Sequence, residues 1–225
     1  MGGGERILQT VAVIALKGGS GKTTVATHLA IAAHLRGQDV LVADLDRQRS
    51  IYNILDARDA AGPACVIATG ATLMAAKFAA VGLKKHLMII DTPAGAVEDV
   101  SEAVVLSDLA VLVVRPTLLD LSGLAPSLSL VRRMKKPSLV VMNQAPTARE
   151  GTESPLVRRA LKALDYMCAP VAPSILRTRT AFQTALETGR SVEETADAAA
   201  AGEIAALWGF VEAALEEPAE VALPQ

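Results

Sequence analysis

Short runs of aliphatic and β-branched residues alternate along the chain with longer Ala- and Leu-rich stretches of helical period. Val11–Leu16, Val40–Ala43, Leu87–Ile90, Leu109–Val114 and Leu139–Met142 predict strands, with a weaker one over Val171–Ile175. Their apolar residues run almost without interruption, the pattern of strands covered on both faces. Thr23–Leu35, Val97–Leu106, Asp120–Met134, Ser154–Leu164, Thr180–Thr188 and Gly202–Glu216 predict helices. Such alternation implies right-handed crossovers, and hence an α/β fold: a doubly wound, mostly parallel sheet with helices on both faces. Functional groups in such sheets gather at the carboxyl ends of the strands. Residues 145–155 read as a loop, 1–217 as a single domain and 218–225 as a disordered tail.

Composition narrows the possibilities. Hydrophobic residues make up 51% of the 225 but aromatics only 3%, so Ala, Val, Leu and Ile must build the core. Lys and Arg number 22 against 24 Asp and Glu, a net charge of −2, so any contact with nucleic acid needs a local basic patch. Cys65 and Cys168 lie far apart without a C-x-x-C partner, which argues against a cysteine metal cluster and fits a reducing cytoplasm. His28 and His34 have no ligand constellation around them, and Trp208 and Phe210 read as core anchors. The N-terminal M-G-G-G-E-R lacks a secretory pattern, and no run of about 18 apolar residues offers a membrane span. A soluble, cytoplasmic protein is expected.

The chemistry begins at A-L-K-G-G-S-G-K-T-T, residues 15–24, between the first strand and the first helix. That is where a phosphate-binding loop must sit. Gly18, Gly19, Ser20 and Gly21 would turn backbone N–H groups inward around phosphate oxygens, and the helix N-terminus adds its dipole. Lys22 is placed to neutralise the phosphates and Thr23 to ligate Mg²⁺, with Thr24 beside them. The usual pattern G-x-x-x-x-G-K-[ST] has glycine where this chain has Leu16, and a second lysine, Lys17, stands upstream. The resulting K-G-G-S-G-K-T-T resembles the loop of the ParA/MinD deviant P-loop ATPases. The resemblance implies ATP and Mg²⁺ as cofactors, an ATP-dependent homodimer, and a Lys17 that reaches the partner's phosphates.

Two further strand ends carry carboxylates. V-A-D-L-D-R-Q-R-S matches the family's D-x-D-P-Q at Asp44, Asp46 and Gln48, with Arg47 replacing the proline. By resemblance Asp46 positions the hydrolytic water and Asp44 supports the metal shell; Asp44 as a helix cap is the plainer reading. The departure at Arg47 leaves the shape of this loop open. L-M-I-I-D-T-P-A-G ends in Asp91, which the resemblance makes a Walker B carboxylate bonded to Mg²⁺ through water, followed by a γ-phosphate switch.

Asn143, at the end of V-V-M-N-Q-A-P, is either a contact for the adenine edge or a turn former, and Pro173 could pack against the base. The segment from Ser174 to Glu194 carries Arg177, Arg179 and Arg190 before a Gly-x-x-V-x-E end similar to ParA-like proteins. With Arg158, Arg159 and Lys162 these form either a patch for sequence-independent DNA binding or a salt-bridged face. The R-R-M-K-K run at 132–136 reads as a helix terminus.

The resemblance, from Val11 to about Glu194, implies a ParA-type ATPase, nucleoid-associated when ATP-bound. It would position a plasmid, chromosome origin or protein assembly with a ParB-like or cargo adaptor protein. With so short an N-terminus no helix-turn-helix is expected. The alternatives are a MinD-like membrane-cycling ATPase, which the acidic, proline-interrupted C-terminus disfavours, or an ATP-dependent metabolic enzyme.

Overall fold

The computed structural model describes residues 7–216; the N-terminal hexapeptide and the tail from Pro218, both singled out above, lie outside them. The strands are β1 (Gln9–Ile14), β2 (Val40–Asp44), β3 (Ala64–Ile67), β4 (Leu87–Asp91), β5 (Leu109–Val114) and β6 (Ser138–Met142). All pair in parallel in the order β3-β2-β4-β1-β5-β6. The helices are α1 (Lys22–Leu35), α2 (Ser50–Asp56), α3 (Gly70–Gly82), α4 (Val97–Leu106), α5 (Leu118–Arg133), α6 (Pro155–Tyr166), α7 (Thr180–Glu187) and α8 (Ala198–Glu216).

Side chains that alternate along each strand enter two separate cores. Ala12 and Ile14 of β1 join the core beneath α3, α4, α5 and α6, whereas Val11 and Val13 join that beneath α1, α2, α7 and α8. The doubly wound expectation is met, and the sheet is wholly parallel. Trp208 anchors the second core at 1% exposure; Phe210, expected beside it, is 39% exposed because it turns off the packed stripe of α8. By length and composition α8 could cross a membrane. Here it packs Ile204, Leu207, Trp208 and Val211 into the second core, and its Glu203 pairs with Arg179.

The sequence pattern missed the whole passage α2–β3–α3. Strand β3 is a four-residue edge strand with no buried residue, although its A-C-V-I is apolar throughout. Helix α3 buries only Gly70, Leu73 and Ala80 and leaves Met74, Phe78 and Val81 exposed. The weak strand over Val171–Ile175 is a single bridge, Val140 to Val171. Pro170 and Pro173 have no N–H to give a ladder, which breaks this edge into isolated bonds.

His28 of α1 ties that second core together. Its Nε2 lies 3.2 Å from the Phe182 carbonyl and its Nδ1 accepts the Val192 amide at 3.4 Å, with the Ser191 hydroxyl at 3.2 Å. Burial pushes the ring down to about 4, against the backbone bond to Phe182. A proton on Nδ1 would displace an amide donor, so the unfolded chain binds that proton first. Stability should therefore fall as pH drops from about 6.5 towards about 4, by on the order of 3 kcal/mol. Urea midpoints at about pH 7 and about pH 4.5 should diverge for the natural protein and converge for His28→Gln.

Candidate functional site

The loop after β1 lies at the centre of the sheet, between the ends of β4 and β5. Its shape needs glycine. Gly19 and Gly21 have φ of 79° and 88°, and a Cβ on Gly21 would stand 2.3 Å from the Asn143 amide nitrogen. Gly21 caps α1 without any side-chain hydrogen bond, and the first turn holds no acidic residue. The first amides of α1 are thus left to an anion. Gly18 and Gly19 are exposed, Thr24 is half-buried, and the buried Ser20 hydroxyl has no hydrogen-bond partner among the described residues.

Beneath the loop lies a dry cluster of charge. Asp91, at the end of β4, is fully buried. Its Oδ2 accepts the Thr23 hydroxyl at 2.7 Å, and its Oδ1 has no partner among the described residues. Burial pushes its carboxyl up to about 7, opposed by the Thr23 bond and the charge of Lys22, and aided by Asp44 and Asp46. Lys22 is also buried; desolvation lowers its amine, while Asp91 and Asp46 act the other way. A hydroxyl and an orphaned carboxylate oxygen at the foot of an anion-binding loop fit a hard divalent cation such as Mg²⁺.

The second carboxylate loop keeps its turn without the proline. Asp46 accepts the Arg49 amide on its carbonyl and the Gln48 amide on Oδ1, both at 2.9 Å. Arg47 occupies the first corner of that turn, where proline is favoured but most residues fit. Asp44 serves as the scaffold: its two oxygens accept the amides of Asp46 at 2.9 Å and of Tyr52, in the first turn of α2, at 3.0 Å. Burial raises the Asp44 carboxyl, and these amides restrain the rise. The capping reading of Asp44 is thus met, since each of its oxygens accepts a backbone amide.

Asn143 braces the phosphate loop: its amide donates to the Ser20 carbonyl at 2.8 Å and its oxygen accepts the Gln144 amide at 2.9 Å. Pro173 is exposed in a bulge between the Ala172 and Leu176 bonds to β6, before the chain reaches the level of the loop.

The basic candidates divide. Arg177 bonds both oxygens of Glu153 and the Pro146 carbonyl, and its own amide donates to Glu203; Arg179 grips Glu203 at 3.1 Å. Both lock the segment after β6 onto its neighbours, as the salt-bridged alternative expects. The Gly-x-x-V-x-E end is structural as well. A Cβ on Gly189 would strike Arg58, whose guanidinium holds Glu194 at 2.7 and 2.8 Å. Arg132 donates to the Met167 and Cys168 carbonyls at the end of α6. Arg158, Arg159 and Lys162 are exposed on α6.

Sequence reasoning missed Asp120, Arg115 and Thr117. Lys17 Nζ lies 3.0 Å from Asp120 Oδ1, and Arg115 meets the same carboxylate at 3.0 and 3.2 Å. Thr117 caps α5 by accepting the Asp120 amide at 3.2 Å, and its hydroxyl donates to that carboxylate. T-L-L-D has the spacing of a capping box, a signal that was present in the chain.

A family model described as the CobQ/CobB/MinD/ParA nucleotide-binding domain matches residues 11–197. A protein of Sinorhizobium fredii provisionally named replication protein A is 53% identical over 51 residues, 23% of this chain and 12% of that one. Its namesake in Rhizobium rhizogenes is 55% identical over 49 residues, 22% and 12% of the two chains. The chain thus aligns with only about an eighth of either relative. Among solved structures, apo McdA of Cyanothece superposes with a TM-score of 0.76 at 16% identity, covering 91% of this chain and 100% of that one. MinD of Pyrococcus horikoshii with Mg-ADP gives 0.73 at 18% identity over 92% and 96%. A Borrelia burgdorferi protein provisionally described as a plasmid partition protein, bound to AMPPNP, gives 0.69 at 13% over 92% and 100%.

The bracing of the loop yields a sharp expectation. Gly21→Ala meets both a left-handed backbone and the Asn143 amide, a strain of about 1–3 kcal/mol. Binding of a fluorescent ADP analogue should be lost, with far-UV circular dichroism unchanged.

Proposed function

The chain belongs to the CobQ/CobB/MinD/ParA nucleotide-binding family, and within it we propose an ATPase that dimerises on ATP, binds DNA without sequence preference and positions or segregates a cargo. A partner protein would stimulate its hydrolysis. The observation that carries this reading is the division of labour between two lysines. Lys22 is buried among its own subunit's carboxylates, while Lys17 stands at the open rim with 37% of its side chain exposed. An amine at the rim is placed to serve a site facing it across a two-fold axis, as an arginine finger serves its partner.

Each residue then has a defined task. The amides of the loop and Lys22 bind and orient the phosphates of ATP; Thr23 and Asp91 would hold Mg²⁺, which supplies positive charge against the phosphates when bound. Asp46, fixed by its turn, orients the attacking water. Asn143 and Asp44 position these groups without touching the reacting atoms. Among the basic candidates the exposed α6 cations Arg158, Arg159 and Lys162 remain available to phosphates of DNA.

Size-exclusion chromatography and DNA shift with ADP, ATP and a slowly hydrolysed analogue test the whole reading. The natural protein should dimerise and retain DNA with ATP but not with ADP. Lys17→Ala should remain monomeric with ATP; an unchanged dimer would remove the role in trans. Asp46→Ala should trap the ATP dimer with turnover reduced at least about a hundredfold. Replacing Arg158, Arg159 and Lys162 by Ala should release DNA at low salt without altering nucleotide affinity, and should flatten the salt dependence by up to about three phosphate contacts.

A further inference from the structure

Asp120 is a third buried carboxylate near the loop, after Asp44 and Asp91, and unlike Asp91 both its oxygens are bonded. Only 3% of its side chain is exposed, yet two cations converge on it. Burial raises its carboxyl, but the bonds from Thr117, Arg115 and Lys17 outweigh that and hold it below the usual range. The two cations are not equivalent. Arg115 binds through two nitrogens, the stronger and more directional arrangement, whereas Lys17 makes one contact from a flexible stem. Arg115 also lies against the phosphate loop: a Cβ on Gly19 would be 3.9 Å from its guanidinium. The Lys17 stem runs past Gly123, where a Cβ would stand 3.4 Å away.

We propose that Arg115 is a positioning residue that keeps the buried Asp120 carboxylate paired while Lys17 leaves it for the partner subunit's nucleotide. The proposal rests on the reading of Lys17 as a residue acting in trans. A buried carboxylate stripped of its only cation is strongly unfavourable. With Lys17 alone on Asp120, the amine would be held in its own subunit. With Arg115 present, Lys17 exchanges one contact for another and no charge is stranded. Arg115 thereby sets how readily the ATP dimer forms without binding the phosphates itself.

Analytical ultracentrifugation with a slowly hydrolysed ATP analogue, and titration of monomer with fluorescent ADP, separate the possibilities. R115Q should weaken the dimer by about tenfold or more while ADP affinity stays within about twofold. R115K, which retains a cation, should recover most of the loss. R115Q/D120N has no buried charge to strand or to hold Lys17, so it should dimerise at least as well as the natural protein, even where R115Q alone folds poorly. A parallel fall in ADP affinity would overturn the proposal by making Arg115 a direct phosphate ligand. A double variant as weak as R115Q would overturn it too. An unchanged dimer in K17A would instead overturn the underlying role of Lys17, a result read independently of Arg115.

Discussion

Burial of charge at the carboxyl edge of a dry parallel sheet is the constraint around which this molecule is organised. Asp44 and Asp91 are register partners at the ends of β2 and β4, both fully buried. Two like charges so placed would drive each other's protonation. The chain answers differently at each. Asp44 is neutralised in effect by two backbone amides and becomes scaffold. Asp91 keeps one oxygen without a partner among the described residues and is balanced by a buried lysine and a hydroxyl from the helix above. The incompletely satisfied carboxylate is the one at the foot of the anion-binding loop. A preformed but unfinished cluster of this kind binds a cation and phosphates with little reorganisation.

The loop itself is held by contacts from the opposite side. Asn143, just past β6, reaches the Ser20 carbonyl, whereas Arg115, just past β5, bonds Asp120 instead of the loop. Since β1 pairs with both β4 and β5, its loop is supported by strand ends on either flank. That explains why a backbone with two left-handed glycines can hold one shape. The open side carries Lys17, which rests on a single contact to a carboxylate that Arg115 also holds.

Charge elsewhere serves architecture. Arg58, Arg177 and Arg179 each clamp a glutamate from a distant segment, tying the irregular chain after β6 and the turn at Val192–Glu194 to the body. Exposed pairs contribute little, but Arg58 is almost wholly buried and also donates to the Gly189 carbonyl, so its loss would leave several groups unsatisfied. A row of arginines in a sequence therefore cannot be read as a basic surface until its carboxylate partners are known.

By itself the sequence determined the layered α/β fold and the position of the phosphate loop. Uninterrupted apolar strands and the spacing of glycines, lysines and a threonine are local properties, and they survive any detail of packing. It also marked Asp91, which ends an apolar strand, and Asp46, which stands in the D-x-D motif that begins at the end of another. Tertiary structure alone decided which polar groups face one another. Asp120 sits far along the chain from Lys17, and its capping-box spacing announces only a helix start; its meeting with Lys17 depends on β5 lying beside β1. Asn143 likewise matches a base contact or a turn equally well in sequence, and only the position of β6 turns its amide onto Ser20. The passage α2–β3–α3 was missed although A-C-V-I and Gly70–Gly82 are both apolar; only the tertiary structure makes them an edge strand and a half-exposed helix.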